Sequence, residues 1–270
     1  MLASYIDIEK MTILDKIVKR KREEVALANE KVSLEELEKY PLFGRSCYSL
    51  RDSILDPSKN GIIAEYKRAS PSKGIINGSA SVREVVKGYQ DSGASAISVL
   101  TDQDFFQGSL TDLTEAREVL QIPLLRKEFI VDKYQIAEAK AYGADIILLI
   151  AACLGTLEVR ELSKYAKSLG LNVLLEVHNE EELNRSIFPS IDAIGVNNRN
   201  LKDFEVSLDH SYSLVNKIPT DFIKVSESGI SDPATIQELK KVGFQGFLIG
   251  ENFMKTNDPA GAIKEFAGQL

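Results

Sequence analysis

Cysteine and histidine are scarce in this chain: Cys47, Cys153, His178 and His210 are all there are in 270 residues. Two cysteines build no disulfide framework, and two histidines give no zinc-ligand spacing. Cys153 falls in an apolar run and reads as a small core residue. Long hydrophobic runs are missing too. The longest, Ile146 to Leu154, is too short to span a bilayer. The first residues lack the basic-then-apolar order of a signal peptide. No strand is followed by Gly-x-Gly-x-x-Gly, so a dinucleotide site has no support. Basic residues are in deficit: 33 Lys and Arg face 40 Asp and Glu, a net charge of −7. That balance argues against a nucleic-acid or anionic-membrane surface. It leaves room for an anionic small molecule, because a few converging Lys and Arg make a local positive site. A soluble, reducing, cytoplasmic setting is the expectation.

What is present is the composition of an ordinary globule, 44% apolar and 27% charged. A chain of this length buries roughly three-quarters of its unfolded surface and needs no metal or disulfide staples. Residues 1–50 read as a helical extension. Leu14, Ile17, Val18 and Val25 lie near one helical face, while Lys16 and the KRKREE run at 19–24 lie mostly on the other. The run reads as a solvated face rather than a nucleic-acid patch. Ser33 with Glu36 is a capping box that opens a second short helix before Pro41. This prefix is too small for a core of its own and must lie against residues 51–270.

From residue 61 the pattern alternates strand and helix to the end. Strands are expected at 61–66, 96–100, 123–128, 145–150, 172–177, 193–196, 222–226 and 246–250. The helix signals between them are specific. Val82, Val85, Val86 and Tyr89 share a face after Ser81; Asp132 and Gln135 form a cap that Gly143 closes. Asp232, Pro233 and Gly243 frame another helix, and further helices fall near 111–120, 156–169, from Asn179, within 207–217 and at 259–267. Eight strand–helix units indicate an α/β fold of the closed (β/α)8, or TIM, barrel type. A doubly wound open sheet is the competitor, disfavoured by eight units without a break in composition. The apolar strands lack clean alternation, as expected where helices cover the outer face of a parallel sheet.

In such a barrel the chemistry collects at the carboxyl ends of the strands. The organising stretch is 61–74, GIIAEYKRASPSKG, a buried strand that turns at once into Glu65, Lys67 and Arg68 and then a polar loop suited to a movable lid. The other strands end in Thr101–Asp102, RKEF (126–129), Glu176–Val177–His178, NNRN (197–200), SESG (226–229) and Gly250–Glu251–Asn252; only the fourth ends blandly. Lys67, Lys127, Glu65 and Glu176 form a mixed set of acids and bases in which neighbouring charges can poise a lysine as general acid. Arg199 is a fork-shaped donor suited to a carboxylate. Ser228, Gly229 and Gly250 follow strands seven and eight, where barrels hold phosphate on backbone N–H groups, and Ser70 can add a hydroxyl. Phe106 and Phe129 offer a wall for an aromatic ring. His178 and His210 read as structural.

The segments IIAEYKRASPSKG, VLTDQDFFQGSL, LLRKEFIVDKYQI, LLEVHNEEEL, IGVNNRNL, VSESGI and LIGENFM resemble those of the indole-3-glycerol phosphate synthase family of tryptophan biosynthesis. They come in that family's order over essentially all of 50–270. The resemblance implies conversion of 1-(2-carboxyphenylamino)-1-deoxyribulose 5-phosphate to indole-3-glycerol phosphate, CO2 and water, with no cofactor and no metal. It implies that Lys127 is the general acid of ring closure and that Glu176, assisted by Lys67, serves the later dehydration. Which lysine serves which step stays open. Glu65 would orient a lysine, Asn197 bind substrate hydroxyls and Arg199 hold the anthranilate carboxylate. Ser70, Ser228, Gly229 and Gly250 would cradle the phosphate, and Phe106 and Phe129 flank the ring. The family usually has Asp where Glu128 and Asn200 stand. Other enzymes of the pathway are conceivable partners. A Schiff-base aldolase using either lysine, and a non-catalytic phosphoribosyl-binding or scaffold protein, are the rival readings.

Overall fold

A computed structural model describes residues 12–200 and 204–270. Residues 1–11 of the expected helical prefix, and Leu201 of the IGVNNRNL segment, lie outside that range. Eight parallel strands close into a barrel in sequence order. They are β1 (Ile62–Tyr66), β2 (Ala96–Leu100), β3 (Leu124–Lys127), β4 (Ile146–Ile150), β5 (Asn172–Val177), β6 (Ala193–Asn197), β7 (Ile223–Glu227) and β8 (Gly246–Ile249). Side chains alternate across each strand. The inward set, including Ile63, Leu125, Leu148, Leu174, Val225 and Leu248, packs as one cluster; the outward set packs under the helices as another. That two-sided burial explains why no strand shows polar alternation.

The helices start and stop where the caps predict. Asp132 and Asp232 accept hydrogen bonds from Tyr134 N and Ala234 N, Pro233 takes the first turn, and Gly243 at φ +113° ends its helix in the left-handed region. Ser81 caps the helix that buries Val82, Val85, Val86 and Tyr89.

Among the described residues three helices precede the barrel: α1 (Ile13–Lys31), α2 (Leu34–Leu37) and α3 (Leu50–Leu55). Leu50 and Ile54 of α3 join the inward-facing strand residues and plug the barrel's N-terminal end. At the opposite end α1 brings Ile13, Leu14 and Ile17 to the mouth. The charged run of α1 is not simply a solvated face. Lys21 is only 5% exposed. Its ammonium reaches Asp102 at 2.9 Å, Glu128 at 3.1 Å and Glu24 at 2.7 Å. Arg20 pairs with Asp104 and Arg22 with Glu158, so the run straps α1 to the loops of the mouth. Glu128 thus serves the strap, where it also accepts from Thr101 Oγ1 at 2.7 Å. Among the described residues no helix is long and apolar enough to cross a membrane.

Candidate active site at the barrel mouth

Strand register sets the depth of the site. Glu65 lies level with Ser98, Leu100 with Lys127, Ile150 with Glu176, Glu176 with Gly195, and Asn197 with Glu227. Because every second residue faces inward, Glu65, Lys127, Glu176, Asn197 and Glu227 form the upper layer of barrel side chains. Thr101 and Asp102, which the strand ends had suggested for the same mouth, turn instead to the strap. Asp102 is fully buried, caps the short helix Gln103–Phe106 and meets Lys21.

At the centre, Lys127 Nζ donates to Glu176 Oε2 and to Glu227 Oε2, each at 2.9 Å. Burial opposes the charge on this lysine, but Glu176, Glu227 and Glu65 outweigh it and hold the ammonium firmly protonated. The carboxylates therefore poise Lys127 upward. The two acids then diverge. Burial raises both, yet Glu176 is pulled well below its ordinary value by Lys127, His178 and Asn197, whose Nδ2 donates to Oε1 at 2.9 Å. Glu227 has Lys127 alone, its Oε1 has no hydrogen-bond partner, and burial with the nearby Glu176 charge pushes it up to about 7. Two carboxylates thus share one ammonium and, towards neutral pH, one proton resides on Glu227.

Glu227 is the member of this centre that the sequence reading passed over. It stands in SESG, but ending the strand at Ser226 placed it in a loop. A signal for it exists one strand away: a Cβ on Gly195 would lie 2.0 Å from Glu227 Oε1, so only glycine leaves room for that carboxylate. Gly250 serves Glu65 in the same way, since a Cβ there would come within 2.7 Å of Oε1.

Around this centre are two adjoining cavities. One, of about 150 Å³, is lined by Ile13, Leu14 and Ile17 of α1, by Phe106 and Phe129, and by Glu65, Lys67, Ser70, Lys127, Glu176, Asn197, Arg199 and Ser228. The two phenyl rings sit 6.2 Å apart at 41°. The other, of about 410 Å³, is more polar and adds Gly229, Gly250, Lys73 and Asn252 while sharing Lys67, Arg199, Ser228 and Glu251. Every residue given a catalytic or substrate-binding role in the sequence reading lines one cavity or the other. Lys67 pairs with Glu65 at 2.9 Å. Arg199 donates to Phe204 O at 3.3 Å, lies 3.6 Å from Glu251 and lines both cavities. Ser228 and Gly229 both have left-handed φ, +67° and +77°, which turns the chain sharply after β7. Ser228 Oγ donates to Asn197 Oδ1 at 2.9 Å. The loop after β1 is more structured than a plain turn: Ala69–Ser70 and Gly74–Ile75 pair as a short antiparallel ribbon, and Arg68 clamps it to Asp112. Among the described residues no group of three or more His, Cys, Asp or Glu is placed to hold a metal ion.

The fold and its mouth define a (β/α)8-barrel enzyme equipped for acid–base chemistry. The family description "Indole-3-glycerol phosphate synthase" matches residues 14–266. A protein of that name from Bacteroides thetaiotaomicron is 46% identical over 254 residues, covering 94% of this chain and 97% of its own. Another from a Polaromonas species is 45% identical over 260 residues, covering 95% and 98%. The chain belongs to the indole-3-glycerol phosphate synthase family of tryptophan biosynthesis and is a lyase of its carboxy-lyase class. Solved structures carry the fold alone. The 3-hexulose-6-phosphate synthase of Salmonella typhimurium superposes with a TM-score of 0.62 at 13% identity, covering 78% of this chain and 98% of that one. The thiamine phosphate pyrophosphorylase of Pyrococcus furiosus gives 0.57 at 18%, covering 82% and 97%.

Proposed function

We propose that this protein closes the indole ring of 1-(2-carboxyphenylamino)-1-deoxyribulose 5-phosphate, releasing CO2 and water to give indole-3-glycerol phosphate. The observation that carries this reading is one largely buried ammonium, Lys127, held between two carboxylates in an apolar cavity that adjoins a polar one. A molecule with an aromatic ring at one end and a phosphate at the other matches that division.

In this reading the aromatic ring lies against Phe106 and Phe129 under α1. The phosphate takes the backbone N–H groups of Ser228, Gly229 and Gly250 with the hydroxyl of Ser70. Arg199 holds the ring carboxylate, and Asn197 binds substrate hydroxyls. Lys127 gives its proton to the carbonyl oxygen as the ring carbon attacks, because a ketone that is protonated as it is attacked never carries a full negative charge. Glu176 and Lys67 handle the proton transfers of dehydration, with Glu65 holding Lys67. Glu227, the second partner of Lys127, keeps the ammonium pointed at the substrate and buffers its charge when the proton leaves. A Schiff-base role for Lys127 is disfavoured, since a lysine held as the ammonium is no nucleophile.

The test is a fluorescence assay for indole formation from the carboxyphenylamino-deoxyribulose phosphate, with no metal or nucleotide added. Turnover is expected. Absence of product, together with a borohydride-trapped adduct to a sugar phosphate, would overturn the reading in favour of the aldolase.

A further inference from the structure

Glu176 has a neighbour that lines neither cavity. His178 follows β5 directly, with its side chain 12% exposed and its Nε2 3.5 Å from Glu176 Oε1. That nitrogen is buried and has no hydrogen-bond partner. The other ring nitrogen, Nδ1, lies 3.3 Å from Glu182 Oε2, and the same oxygen accepts from His178 N at 2.8 Å. Glu182 is in turn fixed by the helix it begins, where Asn179 Nδ2 donates to Oε1 at 2.8 Å and Glu182 N donates to Asn179 Oδ1 at 2.9 Å. The carboxylate therefore commits Nδ1 to carrying a hydrogen and aims Nε2 at Glu176.

We infer that His178 is a positioning residue that stores the proton used by Glu176, the row Glu182–His178–Glu176 forming a relay behind the acid–base centre. The inference rests on the reading of Glu176 as an acid–base group. In the charged form, imidazolium Nε2–H faces Glu176 Oε1. In the resting centre Lys127 and His178 hold Glu176 ionised. Once Lys127 has given its proton to the substrate, the Nε2–H bond breaks and an O–H bond forms on Oε1, an imidazolium and a carboxylate becoming a neutral imidazole and a neutral carboxylic acid. The reverse transfer restores the pair, and solvent recharges the partly exposed ring. A 3.5 Å separation is a resting distance of the kind that shortens when substrate fills a site.

The surroundings favour the charged ring. Burial alone would lower the His178 pKa, but Glu182, Glu176 and, more weakly, Glu227 raise it above the ordinary histidine value. The turn at Ala151–Cys153 contributes only the thiol of Cys153, which burial, Glu176, Glu182 and Asp15 of α1 push up and keep neutral. Beyond Glu176 stand Lys127, whose charge Glu176 and Glu227 already balance, and the Glu65–Lys67 pair.

Two measurements test the inference on the full-length enzyme. The chain has two histidines, so proton NMR resolves the His178 ring from His210 without labelling, and the spectrum of His178→Gln assigns it. The His178 midpoint is expected above the usual value of about 6.5, and Glu182→Gln should lower it by roughly one pH unit or more. The pH profile of kcat should carry an alkaline limb at the same midpoint, because the stored proton is lost as pH rises through it. That limb should move to lower pH by the same amount in Glu182→Gln. In His178→Gln, which keeps an amide N–H near Nε2 but holds no proton to give, the limb should vanish, with kcat lowered about tenfold and KM unchanged. A wild-type profile without the limb, a limb that Glu182→Gln leaves in place, or full rescue by His178→Gln would overturn the relay. Near-normal turnover by Glu176→Gln would instead remove the acid–base reading of Glu176 itself, an outcome read separately from the His178 titration.

Discussion

At the N-terminal end of the barrel, Asp145 is fully buried and both its oxygens are used twice. Oδ1 accepts from Arg45 at 2.6 Å and Tyr48 N at 2.8 Å; Oδ2 accepts from Arg117 at 2.8 Å and Leu124 N at 2.9 Å. At the C-terminal end, Glu227 is as deeply buried, yet one oxygen has only Lys127 and the other has nothing. The difference separates two uses of buried charge. A carboxylate with its hydrogen-bonding capacity filled anchors the chain, here tying the segment before α3 to the barrel floor. One left short of partners sits on the edge of protonation, which is a property catalysis needs and stability does not.

That contrast is breakable by mutation, and the largest effect should fall at the floor. Asp145→Ala leaves Arg117 buried beside a cavity and should cost about 3–5 kcal/mol of stability, or roughly 10 °C in melting temperature. The kinetic constants of whatever remains folded should be near normal. A comparable loss of kcat would mean that the floor is not merely an anchor. Arg199→Ala, at the mouth, should do the opposite. Melting should hold while KM rises about ten- to a hundredfold, the loss of charged hydrogen bonds to a carboxylate; an unchanged KM removes Arg199 from the site.

Glu227→Gln is the smallest and most diagnostic change. Its folded pKa is raised to about 7, above the unfolded carboxyl at about 4.3. The native state therefore binds the extra proton between these values, and stability falls as pH rises through the window. Glutamine removes that dependence, so the variant's melting temperature should gain on wild type between pH 5 and pH 8. A constant difference across that range would deny that Glu227 is the proton-bearing member of the pair.

The parts of this molecule that were legible in sequence are those fixed locally. Ser81, Asp132, Asp232 with Pro233, and Gly243 mark helix ends because each satisfies backbone groups within a few residues of itself. The apolar runs of β1 to β8 announce two-sided burial. Glu65, Lys127, Glu176 and Asn197 stood out as polar residues ending apolar strands. What was hidden depends on contacts across the fold. Lys21 looks solvated in a charged run until Asp102 and Glu128 arrive from other strands. The room for Glu227 is made by Gly195, some thirty residues earlier, and shows only in the register between β6 and β7. The ribbon after β1 depends on Arg68 finding Asp112.

The central claim is that Lys127, held charged by Glu176 and Glu227, acts in the transition state. The direct measurement is the steady-state kinetics of Lys127→Ala on the carboxyphenylamino-deoxyribulose phosphate, beside its melting curve. A fall in kcat of about 10² to 10⁴ with only modest change in KM and an intact melting transition is the predicted result. Near-normal kcat in the folded variant would contradict the account.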